Sequence, residues 1–341
     1  MRHFQKIVIY YFTGTGNAKM IAAWLSGFAS EMGIPCQIIN IAKKDGSHLK
    51  HIDVDSLIVI ISPVHGFNFP PITLDFIRRF PDGKNPVVLM NTRGGLKIGN
   101  FVTPGLTGIA FMLSSFILRK KGYKVVGQIP FDMPSNWISI HPALRQQTTE
   151  FIYEKNHACV KKHFQILISN GKDFSARKNM IQDVLIAPVS FAYYFIGRYF
   201  LAKSYYASSD CSNCNECIKL CPAKAIKMIN NRPFWTFKCE SCMKCINHCP
   251  EDAIEVTHGL WVVVSFSVSV ISTFLLQHLL PDTAQHWMIR FLLFSILLIG
   301  FMALFYRIQH VALKNPFVAK LISLTSLTHY KFWGRYRNHR K

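Results

Sequence analysis

Eight cysteines fall between positions 211 and 249 of a 341-residue chain, and their spacing is where chemistry first becomes visible. The first run reads Cys211-x2-Cys214-x2-Cys217-x3-Cys221-Pro222; the second reads Cys239-x2-Cys242-x2-Cys245-x3-Cys249-Pro250. Three thiolates spaced two residues apart wrap a loop around one cubane, while the fourth, just before a proline, points to the other cluster. Cys211, Cys214, Cys217 and Cys249 are therefore expected to hold one [4Fe–4S] cluster, and Cys239, Cys242, Cys245 and Cys221 a second. Zinc also takes four thiolates, but needs only two Cys-x2-Cys pairs and has no use for a third cysteine and a Cys-Pro in each run. Ala225-Ile226 recurs as Ala253-Ile254 at the same offset as the cysteines, which predicts an internal repeat around the two clusters. Regular spacing argues for metal rather than disulfides. Cys36 and Cys159 stand apart, in strand-like and helical runs, and read as ordinary thiols.

The segment Ala207–Thr257 resembles the bacterial two-cluster ferredoxins along its whole length, with every ligand position filled. A second constellation lies near the N-terminus. Thr13-Gly14-Thr15-Gly16-Asn17-Ala18 follows the apolar run Lys6–Phe12 and precedes a helical stretch to about Met32. Glycines there let backbone N–H groups turn inward, and a helix N-terminus adds partial positive charge, which suits a phosphate. The third glycine of a dinucleotide fingerprint is replaced by Lys19, and no Walker Gly-Lys-Ser/Thr follows. The loop instead resembles the FMN-phosphate loop of flavodoxins. Ala18 departs from the Ser or Thr usual in that family, so one hydroxyl contact is absent.

Two further segments carry the resemblance. Ser62-Pro63-Val64-His65-Gly66 looks like the flavodoxin loop beside the isoalloxazine ring, and Thr92-Arg93-Gly94-Gly95 like its partner on the other side. His65, Phe67 and Phe69 would wall the ring or pack the loop. Arg93 would either raise the flavin potential as a nearby cation or stand idle on the surface.

Strand-like runs at Lys6–Phe12, Cys36–Ile41, Ser56–Ile61, Pro86–Asn91 and Tyr123–Ile129 alternate with helical stretches. That alternation predicts an α/β fold, a doubly wound parallel sheet with ligands at the C-terminal strand ends. Met133-Pro134-Ser135-Asn136-Trp137, with the helical segment to about Ser169, is similar to the connection in a family that fuses a flavodoxin-like domain to a two-cluster ferredoxin. The resemblance covers residues 1–257 and implies electron transfer with a redox partner protein.

Gly259–Leu280 contains no Asp, Glu, Lys or Arg, and Trp287–Tyr306 holds only Arg290. About twenty apolar residues cross a ~30 Å hydrocarbon core, so the pair predicts a transmembrane hairpin with Trp261 and Trp287 as interface anchors. Val184–Leu201 is also apolar, yet Pro188 and Arg198 interrupt it; a helix in the interface, or packed on the cofactor domains, is preferred to a third span. Eight Lys or Arg and no acid follow from Arg307, whereas the connector 281–286 is nearly neutral, which places the tail inside.

The net charge of +21 on a chain with 17% charged residues calls for an anionic partner. Beside a hairpin that partner is anionic lipid bound by the tail, with no nucleic acid expected. Met1–Gly14 carries no cleavage-site pattern, so the first domain is expected to be cytoplasmic. The expected organisation is a flavodoxin-like domain (1–175), an apolar linker (176–206), a ferredoxin module (207–257), a two-helix hairpin (259–306) and a basic tail (307–341). Such a chain would be an electron carrier or oxidoreductase component at the cytoplasmic face of the inner membrane, relaying electrons between FMN and two clusters. A quinone reductase and a redox sensor are the alternatives.

Overall fold

The computed structural model describes residues 4–43, 55–279 and 287–336. The connector 281–286, the Trp287 side chain and the basic residues Arg337, Arg340 and Lys341 lie outside what it describes. The chain forms two compact units, one chiefly of Met1–Asn136 and Ala143–Phe191, the other of Trp137–Pro142 and Ala192–Arg337.

In the first unit β1 (Lys6–Tyr11), α1 (Asn17–Glu31), β2 (Cys36–Asn40), β3 (Ser56–Pro63), α2 (Pro71–Arg79) and β4 (Pro86–Gly95) follow in turn. A short hairpin of β5 (Lys97–Ile98) and β6 (Phe101–Val102) comes next, then α3 (Ala110–Lys120), β7 (Lys124–Pro134) and α4 (Gln146–Ile168). The five long strands are all parallel, in the order β2-β1-β3-β4-β7. Counted within the sheet this is 2-1-3-4-5, the flavodoxin-like order, with its switch point between β1 and β3.

Strands covered on both faces must be largely apolar, and β1 from Ile7 to Tyr11 and β3 from Leu57 to Ile61 are. Ile7, Ile9 and Tyr11 pack with Ile21 and Leu25 of α1 and Phe164 of α4. Tyr10, pointing the other way, meets Phe76 and Phe80 at 5.1 and 5.3 Å. Each fully buried Ile or Leu contributes roughly 1.5–3 kcal/mol.

The strands run further than their β-branched cores predict. β4 and β7 stay paired from Thr92↔Phe131 to Gly95↔Pro134, so Thr92–Gly95 is strand, not loop, and Ser62-Pro63 likewise ends β3. Gly95 permits this closeness: a Cβ there would lie 2.7 Å from a Val102 methyl.

The apolar stretch after α4 is broken into α5 (Met180–Leu185), α6 (Ala187–Ala192), a π turn over Tyr193–Gly197 and α7 (Arg198–Lys203). Ser175–Leu185 and Ala187–Lys203 meet at 75°, and Pro188 sits in the first turn of α6. In the second unit β8 (Tyr205–Ala207) pairs antiparallel with β11 (Ile254–Val256). Between them lie α8 (Glu216–Leu220), the hairpin β9 (Ile226–Ile229)–β10 (Arg232–Trp235), and α9 (Lys244–Asn247). Asn230 and Asn231, both at positive φ, make its two-residue turn.

Two long apolar helices follow, α10 (His258–Leu279) and α11 (Trp287–Ala312), then α12 (Pro316–Leu324). Trp261, Val264 and Val268 of α10 pack against Leu298 and Met302 of α11, while Val262, Phe266, Leu292 and Ile296 face outward. At about 1.5 Å per residue both helices exceed a ~30 Å hydrocarbon core. Trp261, expected as an interface anchor, is instead 8% exposed inside the helix pair, near Phe200 and Phe305. The tail is no loose appendage: Val256 N–H donates to Thr328 Oγ1 at 2.9 Å, and Tyr336 N–H to Asn247 Oδ1 at 2.7 Å.

Candidate functional site

The cysteine runs sit on two copies of one backbone design. Positive φ occurs at Asn213 and Ser241, Asn215 and Met243, and Lys224 and Asp252, each pair at the spacing of the cysteine repeat. These left-handed residues turn the chain so that successive cysteines face one side. Cys211, Cys214, Cys217 and Cys249 surround one cavity, closed by Met228, Pro233 and Ile254. Cys239, Cys242, Cys245 and Cys221 surround another, closed by Tyr205, Ile226 and Trp235. Each cavity thus takes three cysteines from one run and the last from the other. Among the described residues no three His, Cys, Asp or Glu side chains converge as they would on a single ion.

Four cysteines around each cavity suit a metal cluster. Burial pushes the Cys217 thiol up to about 11 and the Cys242 thiol up to about 12, and raises Cys239 and Cys245 further. Buried thiols of this kind become thiolates when metal displaces their protons. Backbone N–H groups already point at the sulfurs: Ala225 to Cys221 Sγ at 3.2 Å, and Ser241 to Cys239 Sγ at 3.4 Å. Such bonds tune an iron–sulfur potential.

Residues 210–254 match the family model of the 4Fe-4S dicluster domain. This segment is a ferredoxin-type iron–sulfur domain. No curated protein matches the chain by sequence. Among solved structures the chain is similar to a flavodoxin from the domain Archaea, at 13% identity, 47% of this chain, 99% of that chain and TM-score 0.30. It is also similar to flavodoxin 1 from Bacillus cereus, at 18% identity, 46% of this chain, 98% of that chain and TM-score 0.30. A third is general stress protein 14 from Treponema denticola, solved in complex with FMN, at 10% identity, 48% of this chain, 98% of that chain and TM-score 0.33. The chain thus joins a parallel sheet of flavodoxin-like strand order, a 4Fe-4S domain and two long apolar helices. The iron–sulfur domain supports an electron-transfer role.

In the first unit, the segment Thr13–Ala18 lies between β1 and α1, at the C-terminal edge of the sheet. Gly16 is the residue before α1, at φ 115°, a conformation that side chains resist. No side chain caps α1 and its first turn holds no acid, so the helix N-terminus presents N–H groups and partial positive charge. Thr13 Oγ1 accepts the Gly16 N–H at 3.0 Å and keeps its own proton to donate. Thr15 Oγ1 accepts from Asn136 Nδ2, and Asn17 bridges Pro134 O at 2.9 Å and the Tyr153 hydroxyl at 3.1 Å. Ala18 is buried against the core. This cradle fits a terminal phosphate.

Ser62 turns inward, 2.8 Å from Thr73 Oγ1, rather than toward a ligand. Val64 carries the chain out of β3, and its N–H donates to Thr92 O at 3.0 Å, joining the two segments expected to flank the ring. Gly66 and Phe67, at φ 54° and 65°, turn the loop back so that His65 and Asn68 exchange backbone bonds at 2.8 and 3.3 Å. Phe67 carries the strain of a left-handed residue with a bulky side chain. Phe69 is core, edge-on to Phe111 at 6.0 Å, and does not wall a ring.

Arg93 is not a surface cation. It is 6% exposed; its Nε and one terminal nitrogen donate to the two oxygens of Asp132 at 2.7 and 3.2 Å, and the other terminal nitrogen donates to Thr107 Oγ1 at 3.3 Å. Its charge is therefore largely neutralised. Asp132 also accepts the Gly105 N–H at 2.7 Å, and Asp183 accepts those of Thr107 and Gly108 at 3.0 and 2.8 Å. Burial raises the Asp183 carboxyl above its usual range, against the pull of these N–H groups. Sequence reasoning missed this third loop and its two carboxylates; the only signal was the turn-rich string Pro104-Gly105-Leu106-Thr107-Gly108.

Proposed function

We propose that this protein is a membrane-anchored electron carrier that relays electrons between FMN and two [4Fe–4S] clusters. When bound, FMN exchanges electrons in pairs or singly, and each cluster exchanges one. The observation that carries the reading is the crossed grouping of the cysteines around two separate cavities. Cys211, Cys214, Cys217 and Cys249 would ligate one cluster; Cys239, Cys242, Cys245 and Cys221 the other. Thr13–Ala18 would hold the FMN phosphate, with Ser62–Gly66 and Thr92–Gly95 framing the ring. Cys214 is exposed, which offers the first cluster to a redox partner protein.

The helix pair α10–α11 would cross the inner membrane as a hairpin. Both ends pack on the iron–sulfur module: α10 follows β11 directly, and Leu313, just past α11, packs against Tyr206. The basic residues after Arg307 favour the cytoplasm for that side, and anionic lipid as their neighbour.

The test is an anaerobic redox titration of the purified full-length protein, followed by EPR and optical spectra. A flavin transition and two magnetically interacting clusters are expected. Zinc in place of iron, without acid-labile sulfide, would overturn the proposal.

A further inference from the structure

Lys203, Lys227 and Arg307 line one groove of about 510 Å³ in the second unit, and no carboxylate lines it. That volume is typical of a small-molecule site. Among the described residues none of the three cations forms an ion pair. Lys203 is 3% exposed, donates to Trp235 O at 2.5 Å, and lies 4.3–4.9 Å from the ring centres of Phe237, Tyr306 and Phe234. An ammonium buried this far is costly unless further charge or hydrogen bonding meets it.

The other wall is a stripe of α11: Gly300, Ala303, Leu304 and Arg307. Those positions fall at i, i+3, i+4 and i+7, one helix face over two turns, or about 10 Å. Gly300 is not there for packing, because a Cβ on it would meet nothing within 4 Å. It widens the groove. The site is therefore apolar at the Gly300 end and cationic at the Arg307 end, over roughly the depth at which a lipid passes from headgroup to chain.

We propose that the groove holds one anionic phospholipid, its phosphate among Lys203, Lys227 and Arg307 and an acyl chain along Gly300–Leu304. The proposal rests on the reading of α10–α11 as membrane spans, and adds a single defined site to the diffuse attraction of the tail. A neutral quinone head would leave three cations without a counter-charge, so the phosphate is the better fit.

The experiment reconstitutes the full-length protein in phosphatidylcholine bilayers with and without phosphatidylglycerol, extracts it, and counts retained lipid by native mass spectrometry. Wild type should keep one phosphatidylglycerol in preference to phosphatidylcholine. Lys227→Ala and Arg307→Ala should each weaken retention about five-fold. Gly300→Leu should abolish it while iron content stays unchanged, and Lys331→Ala, outside the groove, should leave it intact. Equal retention by wild type and the Lys227→Ala/Arg307→Ala double variant would overturn the site and spare the anchor. Competition by inorganic phosphate as strong as by phosphatidylglycerol, or displacement of the lipid by a quinone, would also overturn it. Failure of the wild type to incorporate into either bilayer would instead remove the membrane reading beneath it.

Discussion

The backbone N–H of Trp235 donates to the hydroxyl of Tyr306 at 3.1 Å, so a side chain of a long apolar helix completes the bonding of the iron–sulfur module. The same hydroxyl donates to Tyr205 O at 3.1 Å. Arg232 reaches Leu313 O at 3.2 Å, and His310 contacts Ile229 O at 3.0 Å. Module, hairpin and tail share one packed body, although the sequence divides them into three consecutive segments.

Tyr306→Phe should therefore cost about 1–3 kcal/mol by leaving a buried N–H without an acceptor. Thermal melts followed at the cluster absorbance check it, and an unchanged melt would refute the coupling. A fragment ending at Thr257 should lose iron and aggregate, since Tyr206 and Trp235 would lose their cover. A soluble fragment with full iron content would contradict this.

The cysteine grouping predicts which losses go together. Cys217→Ala and Cys249→Ala should deplete the same cluster, and the double variant should be no worse than either alone. Cys217→Ala combined with Cys245→Ala should remove both. Iron and sulfide assays, about eight of each per wild-type chain, and EPR of the remaining centre decide between this and an uncrossed arrangement.

For the flavin, Gly16→Asp should abolish FMN binding, because it adds negative charge at the cradle and forces a side chain into a φ of 115°. Thr13→Ala should weaken binding by a smaller factor through loss of one hydrogen bond. Fluorescence titration with FMN measures both. Wild-type protein that fails to take up FMN would show a fold kept without its cofactor, with the missing hydroxyl at Ala18 as the first suspect.

Asp132→Asn should destabilise the first unit by about 3 kcal/mol, since it leaves the Arg93 guanidinium buried without its counter-charge. Arg93→Met together with Asp132→Leu should recover part of that loss. Denaturant melts of Arg93→Met, Asp132→Leu and the double form a cycle; additive effects would mean that the two residues do not depend on each other.

Reporters fused at Lys341 and at Thr283 should lie on opposite sides of the membrane, the first in the cytoplasm. A C-terminal reporter on the outer face would sink the hairpin.

How much of this was legible in the sequence depended on range. The cysteine grouping and the strands of a parallel sheet were readable because spacing and the alternation of strand-like with helical runs are local signals. Thr92–Gly95 looked like a loop because glycines hide a strand whose pairing with β7 is set by distant residues. Arg93 looked idle for the same reason: its partner Asp132 is 39 positions away, and nothing near Arg93 announces it. Trp261 carried the composition of an interface anchor, yet Phe200 and Phe305 bury it. The basic tail read as a binder of anionic lipid, whereas its Arg335 spends its guanidinium on the carbonyls of Thr328, Asp252 and Ile254.

The interleaving of the two cysteine runs also imposes a timetable on biogenesis. Cys211, Cys214 and Cys217 leave the ribosome well before Cys249, which completes their cavity, and at roughly 5–20 residues per second the delay is a matter of seconds. During that interval three thiols are open to oxygen or to the wrong metal. α10 begins only nine residues after Cys249, so at that rate it starts to emerge within about two seconds of the last sulfur. If α10–α11 cross the bilayer as proposed, maturation of the iron–sulfur module and delivery of the hairpin would overlap, and a cell short of iron would accumulate this chain as a misassembled membrane protein rather than as a soluble precursor.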